Sequence, residues 1–426
     1  MSGRDSLGVL HVSQSDLEGG AAKAAYSLHR ALLGEGIRSA MVVLRKVTED
    51  PTVHLVSHER PWAARRRRLA ALALFWRGSV PRAVSTFDYD AMQPFDERTL
   101  FTVPRPEVDV VCVHRVTRFL TVRQLRHLYD HYRRPLVCVL HDQSPLTGGC
   151  SFSLTCDGFT RSCGRCPQLL SGDPLDLSRR TWTRKERFLA ALPIIFVAQS
   201  QDAASWVGRS SIFRGHRVER IGNAVDDSVF RPADGAGARE RLRIPPDAKV
   251  IFMSAGDLVF PRKGGRYAVE AFGQLAERAP PSIRDRLFLL LAGKNGEQLL
   301  PDVPFPGRTL GLLHDDLALA LCYQAADVFV SPSLADSGPL TVAESLLCGT
   351  PVAAFDMGAA ADLVRGPDVG RLAPLADSSA LAEGLLELLS GADDDRARHV
   401  RRSAAAAYTG PRVVDAYVAL FRSLTE

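Results

Sequence analysis

Two carboxylates, Asp336 and Glu344, stand eight positions apart in the stretch VFVSPSLADSGPLTVAESLLCGTPVAAFD. They flank the passage from an apolar run, Ala326–Val330, to a helix-forming run, Thr341–Leu347, that Gly349-Thr350-Pro351 stops. Loops of this kind, from strand to helix, are where open α/β sheets bind ligands. Backbone amides at the helix start can hold an anion, and the two carboxylates can accept hydrogen bonds from hydroxyls. A ligand bearing both phosphate and hydroxyls is a nucleotide sugar. Arg262 and Lys263, in Pro261-Arg262-Lys263-Gly264-Gly265, occupy a second such loop and can meet a diphosphate as fork and point charge. The alternative there is a solvated basic turn.

Three other groups carry polar chemistry. Gly19-Gly20 follows the first strand, where glycine lets backbone amides approach a phosphate; a plain tight turn explains the pair equally well. His141 opens HDQSPLTGGC at the end of an apolar run, where it either reaches a ligand or caps its strand. Cys150, Cys156, Cys163 and Cys166 follow with spacing C-x5-C-x6-C-x2-C. The last pair has the shape of a tetrahedral thiolate zinc knuckle, so a closed structural zinc site competes with disulfides or free thiols.

The elements that must position these residues alternate strand and helix. Strands are expected at Leu7–Ser13, Ser39–Leu44, Asp109–His114, Leu136–His141 and Ile194–Ala198. A second set is expected at Val250–Ser254, Leu287–Gly293, Leu310–Leu313, Ala326–Val330 and Val352–Phe355. Their continuous apolar character fits parallel strands covered on both faces. Helical spacing predicts Ala21–Leu33, Trp182–Leu192, Arg266–Arg278 and Leu317–Ala325, with Ala404–Leu424 helical but broken at Gly410-Pro411. Ile221–Pro232 and the Gly/Ala-rich Ala233–Ala238 read as the crossover between two halves.

At 426 residues the chain exceeds what one core usually serves, so two domains are expected. A hydrophobic content of 46% with 24% charged residues is that of a soluble globular protein. The net charge of +5 rests almost wholly on arginine; the lysines are Lys23, Lys46, Lys185, Lys249, Lys263 and Lys294. With no leader-like start and no spanning apolar run, the expected location is cytoplasmic. Pro61–Trp76 joins four arginines to an apolar run, either a surface helix with a solvated basic end or an interfacial helix. In the second reading Arg65–Trp76 would touch the inner membrane face peripherally. Only Trp62 and Trp76 lie near the arginines, so no nucleic acid is expected as a partner.

These residues resemble the GT-B glycosyltransferases of family 4, and within them the branch of colanic-acid-type exopolysaccharide synthesis. The resemblance rests on Ser13–Arg30, on HDQSPLTGGC followed by CGRCPQL, and on Gly222-Asn223-Ala224-Val225-Asp226 with Phe230-Arg231-Pro232. Its most specific part is Tyr323–Ser333 followed by DSGPLTVAESLLCGTPVAAFD. It implies an α/β fold of two Rossmann-like domains with parallel sheets facing across a cleft. Residues 1–222 would form the acceptor-side domain with a cysteine insertion at 143–170, residues 223–405 the donor domain, and residues 406–426 a helix crossing back. The implied activity is retaining transfer from a UDP- or GDP-linked sugar to a hydroxyl of a glycan, lipid-linked or natural-product acceptor, with no catalytic metal. Asp336 would contact donor-sugar hydroxyls, Glu344 the ribose, and the backbone of Ser337, Gly338, Pro339, Leu340 and Thr341 the sugar. Arg262 and Lys263 would neutralise the diphosphate, Gly19 and Gly20 would approach it, and His141 would stand beside the sugar.

Three positions depart from that family. Asp336 replaces the first glutamate of E-x7-E, Gly256-Asp257-Leu258 replaces Gly-Arg-Leu, and Gly358-Ala359-Ala360-Ala361-Asp362 replaces Gly-Gly-x-x-Glu. Because both carboxylates belong to one loop-helix unit, they do not form the facing pair of a retaining glycosidase, ~5–5.5 Å apart across the bond. Front-face transfer assisted by the departing phosphate follows from the family. The competing functions are a nucleotide-sugar 2-epimerase on the same architecture and a zinc-containing nucleic-acid-binding protein.

Overall fold

The structure, a computed structural model, describes residues 7–56, 65, 69, 95, 97–116, 119–391 and 395–426. The expected helix at Pro61–Trp76 lies almost wholly outside the described residues. Contacts divide the chain into two units, residues 1–221 with 414–426, and residues 222–413. The second division falls inside the last helix, Gly410–Thr425, rather than at 405/406. Val225 donates to the Tyr408 carbonyl at 2.8 Å and accepts from the Gly410 amide at 3.0 Å, which ties that segment to the second unit.

The first unit holds a seven-stranded sheet: β1 (Gly8–Ser15), β2 (Arg38–Arg45), β3 (Val53–Leu55), β4 (Val110–Val113), β5 (Leu136–Val139), β6 (Ile194–Ala198) and β7 (Val218–Arg220). Its order is β3-β2-β1-β4-β5-β6-β7, with every pairing parallel. The second unit holds β8 (Lys249–Asp257), β9 (Leu287–Lys294), β10 (Gly307–Thr309), β11 (Val328–Ser331), β12 (Val352–Phe355) and β13 (Gly370–Ala373). It is again all parallel, ordered β10-β9-β8-β11-β12-β13. The fold is thus two parallel-sheet Rossmann-like domains.

The central strands are apolar on both faces because helices cover both: all residues of β4, β6, β11 and β12 are buried. Phe252 and Phe329, paired in register, pack edge-on to Tyr323 with ring centroids 5.0 and 5.2 Å away. Each such side chain contributes roughly 1.5–3 kcal/mol by leaving water.

Four expectations shift for local reasons. The strand expected at Leu310–Leu313 is Gly307–Thr309, since Leu310 already turns away after its amide bonds the Leu291 carbonyl at 2.8 Å. The helix expected at Trp182–Leu192 runs Leu177–Leu189, started by the Asp176 carboxylate accepting from the Arg179 amide. The Gly/Ala-rich crossover contains a helix, Gly235–Arg241, capped in the same way by Asp234. Gly410-Pro411 opens the last helix instead of breaking one, because proline suits the first turn, where its missing N–H is not needed.

Candidate functional site

In each sheet the strand order reverses once near the middle, between β1 and β4 and between β8 and β11. Ligands of such sheets bind outside the strand C-termini at that reversal. At the second reversal the loop after β8 supplies Arg262 and Lys263, and the loop after β11 supplies Asp336. The two loops are locked backbone to backbone: the Leu334 amide donates to the Arg262 carbonyl at 2.7 Å. Gly264 makes this approach feasible. Its φ is 72°, and a Cβ there would stand 1.8 Å from the Pro332 carbonyl oxygen.

The resemblance assigns the two cations to a diphosphate and Asp336 to sugar hydroxyls; in the structure they hold one another. Lys263 Nζ lies 2.5 Å and Arg262 Nη1 3.1 Å from Asp336 Oδ2, and Arg262 also donates to the Ala335 carbonyl at 2.9 Å. Burial alone would raise the Asp336 carboxyl, but the ammonium and guanidinium outweigh it and hold it below its ordinary range. Two cations against one carboxylate leave one net positive charge, which suits a phosphate.

Ser337, Gly338 and Pro339 are buried, while Leu340 and Thr341 are partly exposed at the start of the helix Leu340–Leu347. The Ser337 amide donates to Asp336 Oδ1 at 3.0 Å, and the Gly338 carbonyl accepts from Asn223 Nδ2 at 3.0 Å. Glu344, one turn into that helix and 7% exposed, accepts from the Tyr323 hydroxyl at 2.9 Å. Burial first, then the Glu344 charge, pushes the Tyr323 phenol well above its ordinary value, so it stays a donor. Asp257, where the resemblance calls for arginine, accepts from Asn295 Nδ2 at 2.9 Å and from the Val259 amide at 3.2 Å. It closes its own loop.

In the first unit Gly19 (φ 92°) and Gly20 begin the helix Gly20–Gly34, and a Cβ at either would meet nothing within 4 Å. Only the φ of Gly19 demands glycine. The turn is anchored by Asp16, fully buried, which accepts from the Val47 and Thr48 amides and the Thr48 hydroxyl at 2.8–3.0 Å.

His141 stands two residues beyond the end of β5 and is partly buried. Burial and the neighbouring Arg115 charge push its imidazole down to about 3, so it is neutral at pH 7. The loop behind it is held by Lys185, 8% exposed, whose ammonium donates to the Thr147 carbonyl at 2.7 Å and to the Ser144 carbonyl.

Sequence reasoning passed over Asp16, Lys185, Tyr323 and Asn223. One signal was available for Lys185: lysine is rare in this arginine-rich chain. Lys46, Lys185 and Lys263 each turn the ammonium onto carbonyl or carboxylate oxygens in a loop. A compact point donor fits there and a planar fork does not.

The cysteine spacing does gather one knot: Cys150 and Cys166 share a small buried cluster, and Cys156 accepts from the Gly158 amide. A zinc centre is not shown there. Among the described residues, the group whose ligand atoms lie within 4.8 Å of one another is His11, Cys112 and His114; the four cysteines form no such group. Their thiols remain unpaired, and burial pushes Cys150 up to about 12 and Cys163 to about 11. Among the described residues no helix is long and apolar enough to cross a membrane.

Residues 249–391 match the family model described as Glycosyl transferases group 1. The chain is 31% identical over 183 residues to D-inositol 3-phosphate glycosyltransferase 2 of Catenulispora acidiphila, covering 41% of this chain and 42% of that protein. It thus spans about two fifths of the length of that relative. It is 25% identical to the putative colanic acid biosynthesis glycosyl transferase WcaC of Escherichia coli, over 98% of this chain and all of that one. Among solved structures, Anabaena HepE in complex with UDP and glucose superposes with a TM-score of 0.61 at 18% identity, covering 98% and 99% of the two chains. That likeness is one of fold: the two-domain architecture of the GT-B glycosyltransferases.

Proposed function

We propose that this protein is a retaining glycosyltransferase that moves a sugar from a nucleoside-diphosphate donor to an acceptor hydroxyl. The observation that carries this reading is the convergence of Arg262, Lys263 and Asp336 at the β8/β11 reversal, beside the start of the Glu344 helix. The family match over residues 249–391 spans this same set and supports it.

In this reading Arg262 and Lys263 meet the diphosphate, and their charge stabilises the leaving group as the bond to the sugar breaks. Asp336 holds the pair of cations in place until the donor arrives and then faces the sugar hydroxyls. Glu344, fixed by Tyr323, binds the ribose. The backbone of Ser337, Gly338, Pro339, Leu340 and Thr341 lines the sugar, Gly19 and Gly20 serve the phosphate, and His141 stands beside the sugar. Charge neutralisation by two side chains does without a catalytic metal. The anomeric carbon loses its bond to the phosphate oxygen and gains one to the acceptor oxygen on the same face. The acceptor proton passes to the departing phosphate. The donor is UDP- or GDP-linked, which the UDP-binding fold neighbour supports on the uridine side.

The test is a panel of UDP- and GDP-sugars incubated with the purified chain, with and without glycan, lipid-linked or natural-product acceptors. Acceptor-dependent release of nucleoside diphosphate and an α-linked product from an α-linked donor are expected. Release of a 2-epimer with no acceptor dependence would replace the transferase reading with an epimerase. A thermal-shift rise with one nucleoside diphosphate and not the other identifies the base, since a ligand stabilises by mass action, and its loss in Glu344→Ala tests the ribose contact.

A further inference from the structure

Behind His141 the first sheet carries a line of histidines that the proposed chemistry does not use. His11 lies in β1, His114 directly after β4 and His141 two residues beyond the end of β5, three strands adjacent in the sheet. His11 is level with Cys112, and His114 is two residues beyond Cys112, so both rings stand on the same face of the sheet. His11 Nδ1 is 3.0 Å from His114 Nε2, and His114 Nδ1 is 3.1 Å from His141 Nε2. Ring centroids are 5.2 and 5.4 Å apart along the line. His11 and His114 are 0% and 3% exposed.

At these distances one nitrogen of each facing pair must carry a proton, since two bare lone pairs would repel. Burial holds the three rings neutral at pH 7, so each carries one proton. Two arrangements satisfy both contacts. Either all three rings are protonated at Nδ1, with His11 donating to His114 and His114 to His141, or all three are protonated at Nε2 and the chain runs the other way. A mixed pattern leaves one contact without a proton or with two. The far end is closed: His11 Nε2 is buried with no hydrogen-bond partner among the described residues. The adjoining His29 is taken by Ser39 at 2.7 Å and Thr52 at 2.8 Å.

We propose that His114, backed by His11, is a positioning residue for His141, the three imidazoles forming one chain of a single tautomer that sets the protonation of His141 Nδ1. This rests on the reading of His141 as a residue beside the transferred sugar. The chain gives that residue a fixed ring orientation and ties its hydrogen-bonding sense to that of its neighbours without placing a charge in the sheet. The other ionisable groups facing it are Cys112 and His29 on the inner side, with Tyr417 beside Cys112, and Arg115 with its partner Asp142 at the His141 end.

The test uses the full chain labelled with 15N-histidine, in which nitrogen shifts distinguish protonated from bare ring nitrogens. His11, His114 and His141 are expected to show the same tautomer, and His114→Phe to alter the His141 signals. His114→Phe should lower kcat about ten- to hundredfold, the scale of a misplaced group, with the donor KM within about twofold. His11→Phe should do less, because the contact nearest His141 survives. Added imidazole should restore part of kcat in His114→Ala, and benzene, which fills the same space without ring nitrogens, should not. A mixed tautomer pattern, unchanged His141 signals or unchanged kcat in folded His114→Phe overturns the proposal. So does about one equivalent of bound metal lost in Cys112→Ala, since the nitrogens would then hold a metal in place of protons. The nitrogen shifts need no turnover: a protein that shows the chain but transfers no sugar defeats the enzyme reading and leaves the chain standing.

Discussion

The two units place opposite kinds of chemistry at equivalent points of similar sheets. Where β1 and β4 part, the first unit sets neutral imidazoles, His11 and His114, one hydrogen bond apart. Where β8 and β11 part, the second unit sets two cations on a carboxylate. Parallel strands leave the same opening in both sheets; which polar groups occupy it decides what each half can do. A ligand with a diphosphate would find its counter-charge in the second unit. The first offers hydrogen bonds from groups that stay uncharged.

The difference can be broken most forcefully with acid. His29 is pushed down to about 4 and His141 to about 3, while His11 and His114 lie well below their ordinary value, in each case chiefly by burial. Below an unfolded value of about 6.5 the unfolded chain takes up protons that the native unit refuses. Stability present above that pH is therefore lost as pH falls towards 4, by roughly 1.4 kcal/mol per pH unit for each histidine. Asp336, held below its ordinary range, sends its contribution the same way only below about pH 3.8. Denaturant melts at pH 7 and pH 5, read by hydrogen exchange, should show the first unit weakening before the second. Equal loss in both would erase the distinction.

Glu344→Ala should cut transfer by about a thousandfold or more while the protein stays folded, the scale of losing a charged contact in a closed site. Normal turnover in that variant would remove Glu344 from the site. Gly264→Ala should destabilise the second unit by about 2–3 kcal/mol in urea and loosen Arg262 and Lys263, since its Cβ would overlap the Pro332 carbonyl. An unchanged urea midpoint would show that the loops do not need that approach. The smallest effect is expected from Tyr323→Phe, which removes one hydrogen bond from Glu344, about 1–2 kcal/mol, and should raise the donor KM about tenfold with kcat little changed.

Much of this architecture was legible along the chain because parallel strands buried on both faces are written as unbroken apolar runs. Val110–Val113, Ile194–Ala198 and Val352–Phe355 could be read directly. Short or capped elements were not, because their starts depend on one side chain. The Asp176 and Asp234 caps move or create a helix, and the brief β10 carries no apolar run. Candidates announced by unusual spacing, such as Asp336 and Glu344, could be named as the residues proposed for the site. Tyr323 and Lys185 could not, since each matters only through a partner 21 and 38 to 41 positions away.

What the amino-acid sequence determined by itself was local: strand-to-helix loops, the residue types in them and two α/β halves. Hydrophobic runs, turn formers and side-chain chemistry act over a few residues, and a linear reading captures them. Only the tertiary structure decided which loops meet. Strand order places β8 beside β11 and β1 between β2 and β4, and that order lies in pairings between distant segments. It set Arg262 and Lys263 on Asp336 rather than leaving them to a ligand alone. It aligned three histidines, far apart in the chain, within 3.1 Å of one another in turn.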